Sequence, residues 1–435
     1  MNIFYIYYNR FYKAIWSLCL RSLTVVSSFL FSWIIVRTLG ASQSGGIFFL
    51  ITLSTIIGTL ASRGQDLGLA KAVARVSQPT WASELFYYSL KRSLLFFVFL
   101  EFALSMYIFT QYAPVFVGAQ ISLIFFFVSF LFLYMNLSSN LFQGMGDINM
   151  MVLSQRTIFN FLCFSVLAVF WLINEYSSYY EIEFSMQTCG YALLLSGFAT
   201  FFIIRRALPK LAGKTRLVDF YEKYNDSCGV LYKIQIYQII TMYFSQIMIS
   251  FFSTKSEIAG FIVSQRISSI LAFFVLAVSG VVSASISKAF ANKDISTVHK
   301  NAYHSFIFSS LLGVPISVLL MFFSTDVLGV FGNDFTQFSV VLSILIISQL
   351  INCLTGACDI TLMFIDGEAE HKKNVRYGTM IAFISALALI PLWGAVGAAV
   401  SAAISSILIN ILDVMDIKKK AGFWIFSSRK INHEI

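Results

Sequence analysis

The sequence predicts an all-α polytopic membrane protein with twelve transmembrane helices in two parallel six-helix repeats around a central cavity, both termini cytoplasmic. Three observations predict it. Of 435 residues, 58% are hydrophobic and 12% charged, and mean hydropathy is +0.79, whereas soluble domains carry about 25% charged residues. Apolar stretches of span length, about 17 to 25 residues, recur along the whole chain. The basic residues then fall almost entirely on one side of a twelve-span topology.

Spans are drawn at 14–36, 45–61, 93–109, 117–141, 151–173 and 185–204, then at 229–252, 258–284, 302–323, 338–365, 377–393 and 395–414. A short turn over Gly40 to Gly45 separates the first pair, and the last pair shares one apolar run split at Trp393 and Gly394. With these spans, 26 of the 30 Lys and Arg are cytoplasmic, Arg156 at the head of the fifth span counted among them. Arg37 and Lys255 are outside, and Arg21 and Arg266 lie within spans. Because one missed helix would invert every later loop, the asymmetry supports both the span count and cytoplasmic termini. The chain then divides into an N-terminal six-helix lobe (1–206), a cytoplasmic linker (207–228), a C-terminal six-helix lobe (229–417) and a basic cytoplasmic tail (418–435). Outer loops are short and acidic, as at 174–184 with Glu175, Glu181 and Glu183. The N-terminal MNIFYIYYNRFYK lacks a small-residue cleavage site and reads as an interfacial lead-in, not a signal peptide.

The two halves carry weak internal similarity. SGGIFFLIT (44–52) parallels IAGFIVSQR (258–266), AKAVAR (70–75) parallels SKAFAN (287–292), and FQGMGD (142–147) parallels MFIDGE (363–368). Each pair holds the same place in its half and the three keep the same order. Six helices per half make the repeats parallel, an arrangement that puts a substrate cavity between them.

Intramembrane charge marks the candidate site, since an Arg or Asp at mid-helix costs about 2.5–3.5 kcal/mol on insertion scales and persists where it has a task. Arg21 lies about two turns inside the first span and Arg266 a little over two turns inside the eighth. Either they face a cavity that takes an anion, or they lock helices by pairing with Glu101 in span three and Asp359 in span ten. Glu101 and Asp359 are in turn candidates for proton or sodium coupling or for helix pairing. Arg37 reads as a snorkelling interfacial residue, and Arg63 and Arg75 as positive-inside residues unless the cavity mouth is there. The small residues Gly394, Gly397 and Ala398 suit close helix packing.

Other chemistries are excluded by what the sequence lacks. No GxxxxGK[ST] loop provides for an ATP-driven motor. His299, His304, His371 and His433 form no metal spacing, and no serine sits in a nucleophile elbow. The six cysteines (Cys19, Cys163, Cys189, Cys228, Cys353 and Cys358) contain no CxxC pair and read as small apolar packing residues. The net charge of +9 is spread over short loops, so it reports topology instead of a nucleic-acid partner.

VRTLGASQSGG (36–46), EIAGFIVSQRISS (257–269), ISKAFANKD after span eight, DVLGVFGNDF (326–335) and IPLWGAVGAAVSAAIS (390–405) together resemble the polysaccharide-transporter branch of the multidrug/oligosaccharidyl-lipid/polysaccharide exporter superfamily. The resemblance runs the length of the chain and is nearest in type to the Wzx-type O-antigen flippases. It implies a non-enzymatic flippase of the bacterial inner membrane, moving undecaprenyl-diphosphate-linked repeat units from the cytoplasmic to the periplasmic leaflet. Two six-helix lobes would work by alternating access, without a cofactor and with coupling to a proton or sodium gradient. It also implies a cationic cavity, onto which Arg21, Arg266, Arg37 and Arg63 are carried as substrate-binding residues. Expected partners are the lipid-linked oligosaccharide and membrane lipids, with a polysaccharide polymerase and a chain-length regulator as candidates. A multidrug exporter of the related branch is the alternative, and a polysaccharide polymerase is disfavoured by the short outer loops.

Overall fold

The computed structural model describes residues 2–73, 79–111, 115–176, 185–209 and 218–427. Within these the chain is helical, and nine helices are long and apolar enough to cross a membrane. This is a multi-pass membrane protein. The predicted outer loop at 174–184, the linker at 207–228 and the basic tail lie partly outside the described residues, as do the side chains of Arg21 and of the N-terminal lead-in.

Contacts divide the chain into two compact units, Met1–Tyr243 and Phe244–Ile435. The first holds α1 (Asn2–Ala61), α2 (Gln65–Val73), α3 (Pro79–Gln111), α4 (Val115–Gly144), α5 (Ile148–Val152), a π-helical turn (Leu153–Thr157), α6 (Ile158–Tyr176) and α7 (Met186–Ala207). The division falls within α8 (Val218–Phe252). The second unit continues with α9 (Lys255–Ala291), α10 (Ile295–Phe322), α11 (Ser324–Gly329), a 3₁₀ turn (Asn333–Phe338), α12 (Ser339–Thr355), α13 (Cys358–Phe364) and α14 (Glu368–Ala421).

Two of the nine apolar helices fold back on themselves. In α1 the break is Gly40 alone (φ 72°, ψ 178°), and helix resumes at Ala41, so the turn expected over Gly40 to Gly45 is a one-residue hinge. The reversal is read from its contacts. Thr24 and Thr55 would stand about 46 Å apart on a straight helix, yet their hydroxyls reach the adjacent residues Thr157 and Arg156 at 2.6 and 3.0 Å. In α14 the hinge is Gly394 (φ 53°, ψ −127°), where the sequence divides spans eleven and twelve. Ser405 Oγ donates to the Gly378 carbonyl at 2.9 Å and Asn374 to Asp413 at 3.0 Å, so the two arms run antiparallel. The Glu257 carboxylate accepts from the Ala395 N–H at 2.8 Å, capping the second arm.

The helices suit lipid. Large apolar side chains such as Leu95, Phe99, Phe102, Leu311 and Leu392 are exposed, while Phe31, Phe48, Phe97, Phe125, Phe132 and Phe159 fill the first unit's interior. Many buried hydroxyls return to their own helix, as Ser129 does to Phe125 O at 2.7 Å and Ser401 to Gly397 O at 2.8 Å, which satisfies them without water.

The third internal repeat has a matching geometry. After FQGMGD the Asp147 N–H donates to Phe142 O at 2.9 Å past left-handed Gly146, and in MFIDGE the Gly367 N–H donates to Leu362 O at 2.9 Å past left-handed Asp366. Both are Schellman closures that open the next helix. Their register differs by one residue from the letter-by-letter match.

Candidate functional site

The first unit holds three polar groups of note among its apolar helices. The first is Arg156. Asp147 caps α5 by accepting from the Met150 N–H at 3.0 Å, and about two turns later the helix widens into the π turn at Leu153–Thr157. Thr157 Oγ1 donates five residues back to Val152 O at 2.9 Å, and Arg156 takes φ 146°. A non-glycine residue there stores about 1–3 kcal/mol of strain, and π turns of this kind collect at functional positions.

The turn swings the guanidinium inward. Arg156 donates to Thr55 Oγ1 at 3.0 Å and its Cζ stands 4.3 Å over the Phe132 ring. Thr55 spends its own proton on Ile51 O at 2.7 Å, so its hydroxyl is set to accept. No carboxylate among the described residues lies within 4 Å of the arginine. Arg156, counted with the inner loops from the sequence, lies about two turns inside the apolar helix Ile148–Asn174, with its guanidinium turned onto α1 and α4. Sequence pattern missed it because the π turn departs from the roughly 100° per residue of a regular helix and so changes the direction that spacing alone assigns. The backbone of Arg21 is one turn from Thr24, at the same level of the bundle as Arg156.

The second group is Glu101 on α3. It is 1% exposed, and neither carboxylate oxygen has a hydrogen-bond partner among the described residues. Ser129 of α4 stands nearest in polarity, but its hydroxyl proton goes to Phe125 O. An apolar pocket holding one carboxyl and no committed donor is equipped to take up a proton or a small cation.

The third is a latch where α1 ends. Asp66, buried on α2, accepts from Ser62 Oγ at 3.0 Å, the Leu67 N–H at 2.9 Å and Gln235 Nε2 of α8 at 2.6 Å. Gln235 Oε1 accepts in return from the Gly64 N–H at 3.2 Å. Tyr224, also on α8, donates to Gln65 O at 3.0 Å and shares a 2.7 Å bond with Ser89 of α3. Burial raises the Asp66 pKa above the ordinary carboxylate value, against the lowering effect of its donors. Nothing in the sequence pattern distinguishes Asp66 or Gln235, whose bond closes across 169 residues.

The remaining candidates are dispersed. Arg37 is exposed beside the Gly40 hinge, whereas Arg63 is exposed beyond Ala61 with its Cζ 5.8 Å from the Phe96 ring centroid. About 31 Å of helix separates these two ends of the second α1 arm, so they do not share one site. In the second unit Arg266 is half-buried on α9 next to Gln265, which accepts from Gln246 Nε2 at 2.9 Å. Asp359 on α13 is half-buried and interacts electrostatically with Asp413 and His371, themselves joined at 2.9 Å. Asn374 bridges Asp413 and Asp416 at 3.0 and 2.9 Å.

Comparison with known proteins supplies the architecture. A family model described as MatE matches residues 234–393. No curated protein matches the chain. Among solved structures, an inward-facing multidrug resistance MATE family transporter of the MOP superfamily is 15% identical with a TM-score of 0.72, covering 92% of this chain and 94% of that one. The lipid II flippase MurJ in an inward closed conformation is 13% identical with a TM-score of 0.69, covering 93% and 87%. An outward-facing MATE family transporter gives 14% identity, a TM-score of 0.62 and 94% coverage of both chains. The fold is that of MOP-superfamily transporters and flippases.

Proposed function

We propose that the protein is a flippase of the bacterial inner membrane that carries undecaprenyl-diphosphate-linked oligosaccharide repeat units, O-antigen or a similar surface polysaccharide, to the periplasmic leaflet by alternating access. The observation that carries this reading is Arg156: an intramembrane guanidinium held by a hydroxyl and an aromatic face, with no carboxylate beside it among the described residues. A diphosphate is a ligand such a group binds with paired charge-assisted hydrogen bonds. In this reading Arg21, Arg266, Arg37 and Arg63 remain candidate substrate-binding residues from the sequence, Arg266 in the second unit and the others in the first. The lipid-linked substrate of the structurally similar lipid II flippase is consistent with it. The two hinges at Gly40 and Gly394, together with the long α8, support the count of twelve spans, and the reading keeps lobes of 1–206 and 229–417 with cytoplasmic termini.

One observation favours a second reading. Glu101, buried without a partner among the described residues, suits proton- or sodium-driven export of a cationic drug, and multidrug transporters share the fold to a similar degree. Deleting the gene in its host separates the two. Flipping predicts loss of surface glycan with complete repeat units held on the cytoplasmic leaflet, whereas a drug exporter leaves the glycan intact and raises drug sensitivity. Repeat units that reach the periplasmic leaflet but stay unpolymerised would indicate a polymerase instead.

A further inference from the structure

The first unit carries an apolar groove on its outer surface between α4 and α7, with a volume of about 170 Å³. Phe127 and Phe130 form one wall and Phe198, Phe201 and Phe202 the other. Its floor drops at Gly197, where an added Cβ would stand 3.1 Å from Leu131. Phe127, Phe198 and Phe202 are exposed although each is a large ring, so these walls are completed by something outside the chain.

Two features on the page identify the occupant. Along α7 the groove runs from Leu193 to Phe202 and then meets Arg205, which is exposed one turn further on the same stripe and lies within electrostatic reach of Tyr134 at the groove's end. Tyr134 and Phe201 close that end with ring centroids 4.7 Å apart. A guanidinium at the mouth of a wholly apolar channel complements a ligand with an anionic head and a hydrocarbon tail. The length selects among such ligands. The α7 wall from Leu193 to Phe202 rises about 14 Å, close to the ~15 Å of half a hydrocarbon core. One fatty acyl chain of a leaflet lipid matches this length.

We propose that the α4–α7 groove is a lipid-binding site that seats one acyl chain of an anionic phospholipid, its phosphate held by Arg205 at the basic end of α7. The site is independent of what the protein transports. It gives the first unit a fixed lipid partner in the leaflet whose surface is anionic.

The test uses full-length protein in vesicles containing phosphatidylglycerol with a diazirine in its acyl chain, or phosphatidylcholine with the same chain, and maps labelled residues by mass spectrometry. Labelling should concentrate at Phe198–Phe202 and Phe127–Leu131, about fivefold higher with phosphatidylglycerol, the discrimination expected of one arginine near the headgroup. Arg205→Gln, an exposed and fold-neutral change, should bring that ratio to about one, and Gly197→Leu should abolish labelling in the groove. Equal labelling by the two lipids in the wild type would overturn the proposal. So would a ratio unchanged in Arg205→Gln, or displacement of phosphatidylglycerol by an equal mole fraction of undecaprenyl phosphate.

Discussion

The Arg156 guanidinium donates to the Thr55 hydroxyl at 3.0 Å although 101 residues separate them in the chain. The bond requires both the π turn that aims Arg156 and the Gly40 hinge that brings Thr55 to its level. Replacing Arg156 should therefore separate charge from backbone. Arg156→Gly suits φ 146° and should melt at or above the wild-type temperature, since it releases about 1–3 kcal/mol of strain. It should nevertheless lose surface-glycan export, as should Arg156→Ala, while Arg156→Lys keeps part of it. Wild-type export by the glycine variant would show that the guanidinium is dispensable.

Glu101→Gln should leave the protein folded, because the carboxyl makes no hydrogen bond among the described residues. Transport measured in proteoliposomes against imposed pH and sodium gradients should lose its dependence on one of them. A variant that responds to both gradients as the wild type does removes Glu101 from coupling.

The Asp66 latch has a pH signature. A carboxyl whose folded-state pKa is raised contributes most stability below its unfolded value, about 3.8, and loses that contribution as pH rises through the folded value. Thermal unfolding in detergent should accordingly show the wild type declining from pH 4 upward more steeply than Asp66→Asn. Gln235→Ala, which strips a buried carboxylate of a donor, should cost about 1–3 kcal/mol. Parallel pH profiles for wild type and Asp66→Asn would contradict this account.

At the other hinge, Gly394→Ala should destabilise strongly, because its Cβ would lie 1.9 Å from Glu257 Oε2 at a residue with φ 53°. Glu257→Gln keeps an acceptor for the Ala395 N–H and should be tolerated, whereas Glu257→Ala should cost about 1–3 kcal/mol. Melting temperatures of the three variants decide it; equal losses in the two Glu257 variants would mean the cap carries no weight.

Much of the fold was legible because hydrocarbon imposes length and polarity on each helix. Trp393–Gly394 was readable as a division, and Gly40 as a turn, since an apolar run too long for one crossing must break where glycine permits. Arg266 and Glu101 were visible as charges out of place in apolar text. Arg156 was not, because its position at the head of a span fits an interfacial loop equally well, and only the π turn decides its direction. Asp66 and Gln235 were hidden for a different reason: each is ordinary in its own loop or helix, and their pairing is a product of tertiary packing.

The Gly40 hairpin also limits how this gene can change. Thr24 on one arm and Thr55 on the other are both registered against a single turn of the neighbouring helix. One residue inserted in either arm between them would rotate the arm's contact residue by about 100° and slide it about 1.5 Å. The hydroxyl on that arm would leave its partner while the one on the other arm kept its own. Relatives that share this contact should therefore keep the interval 24–55 at constant length even where its letters diverge.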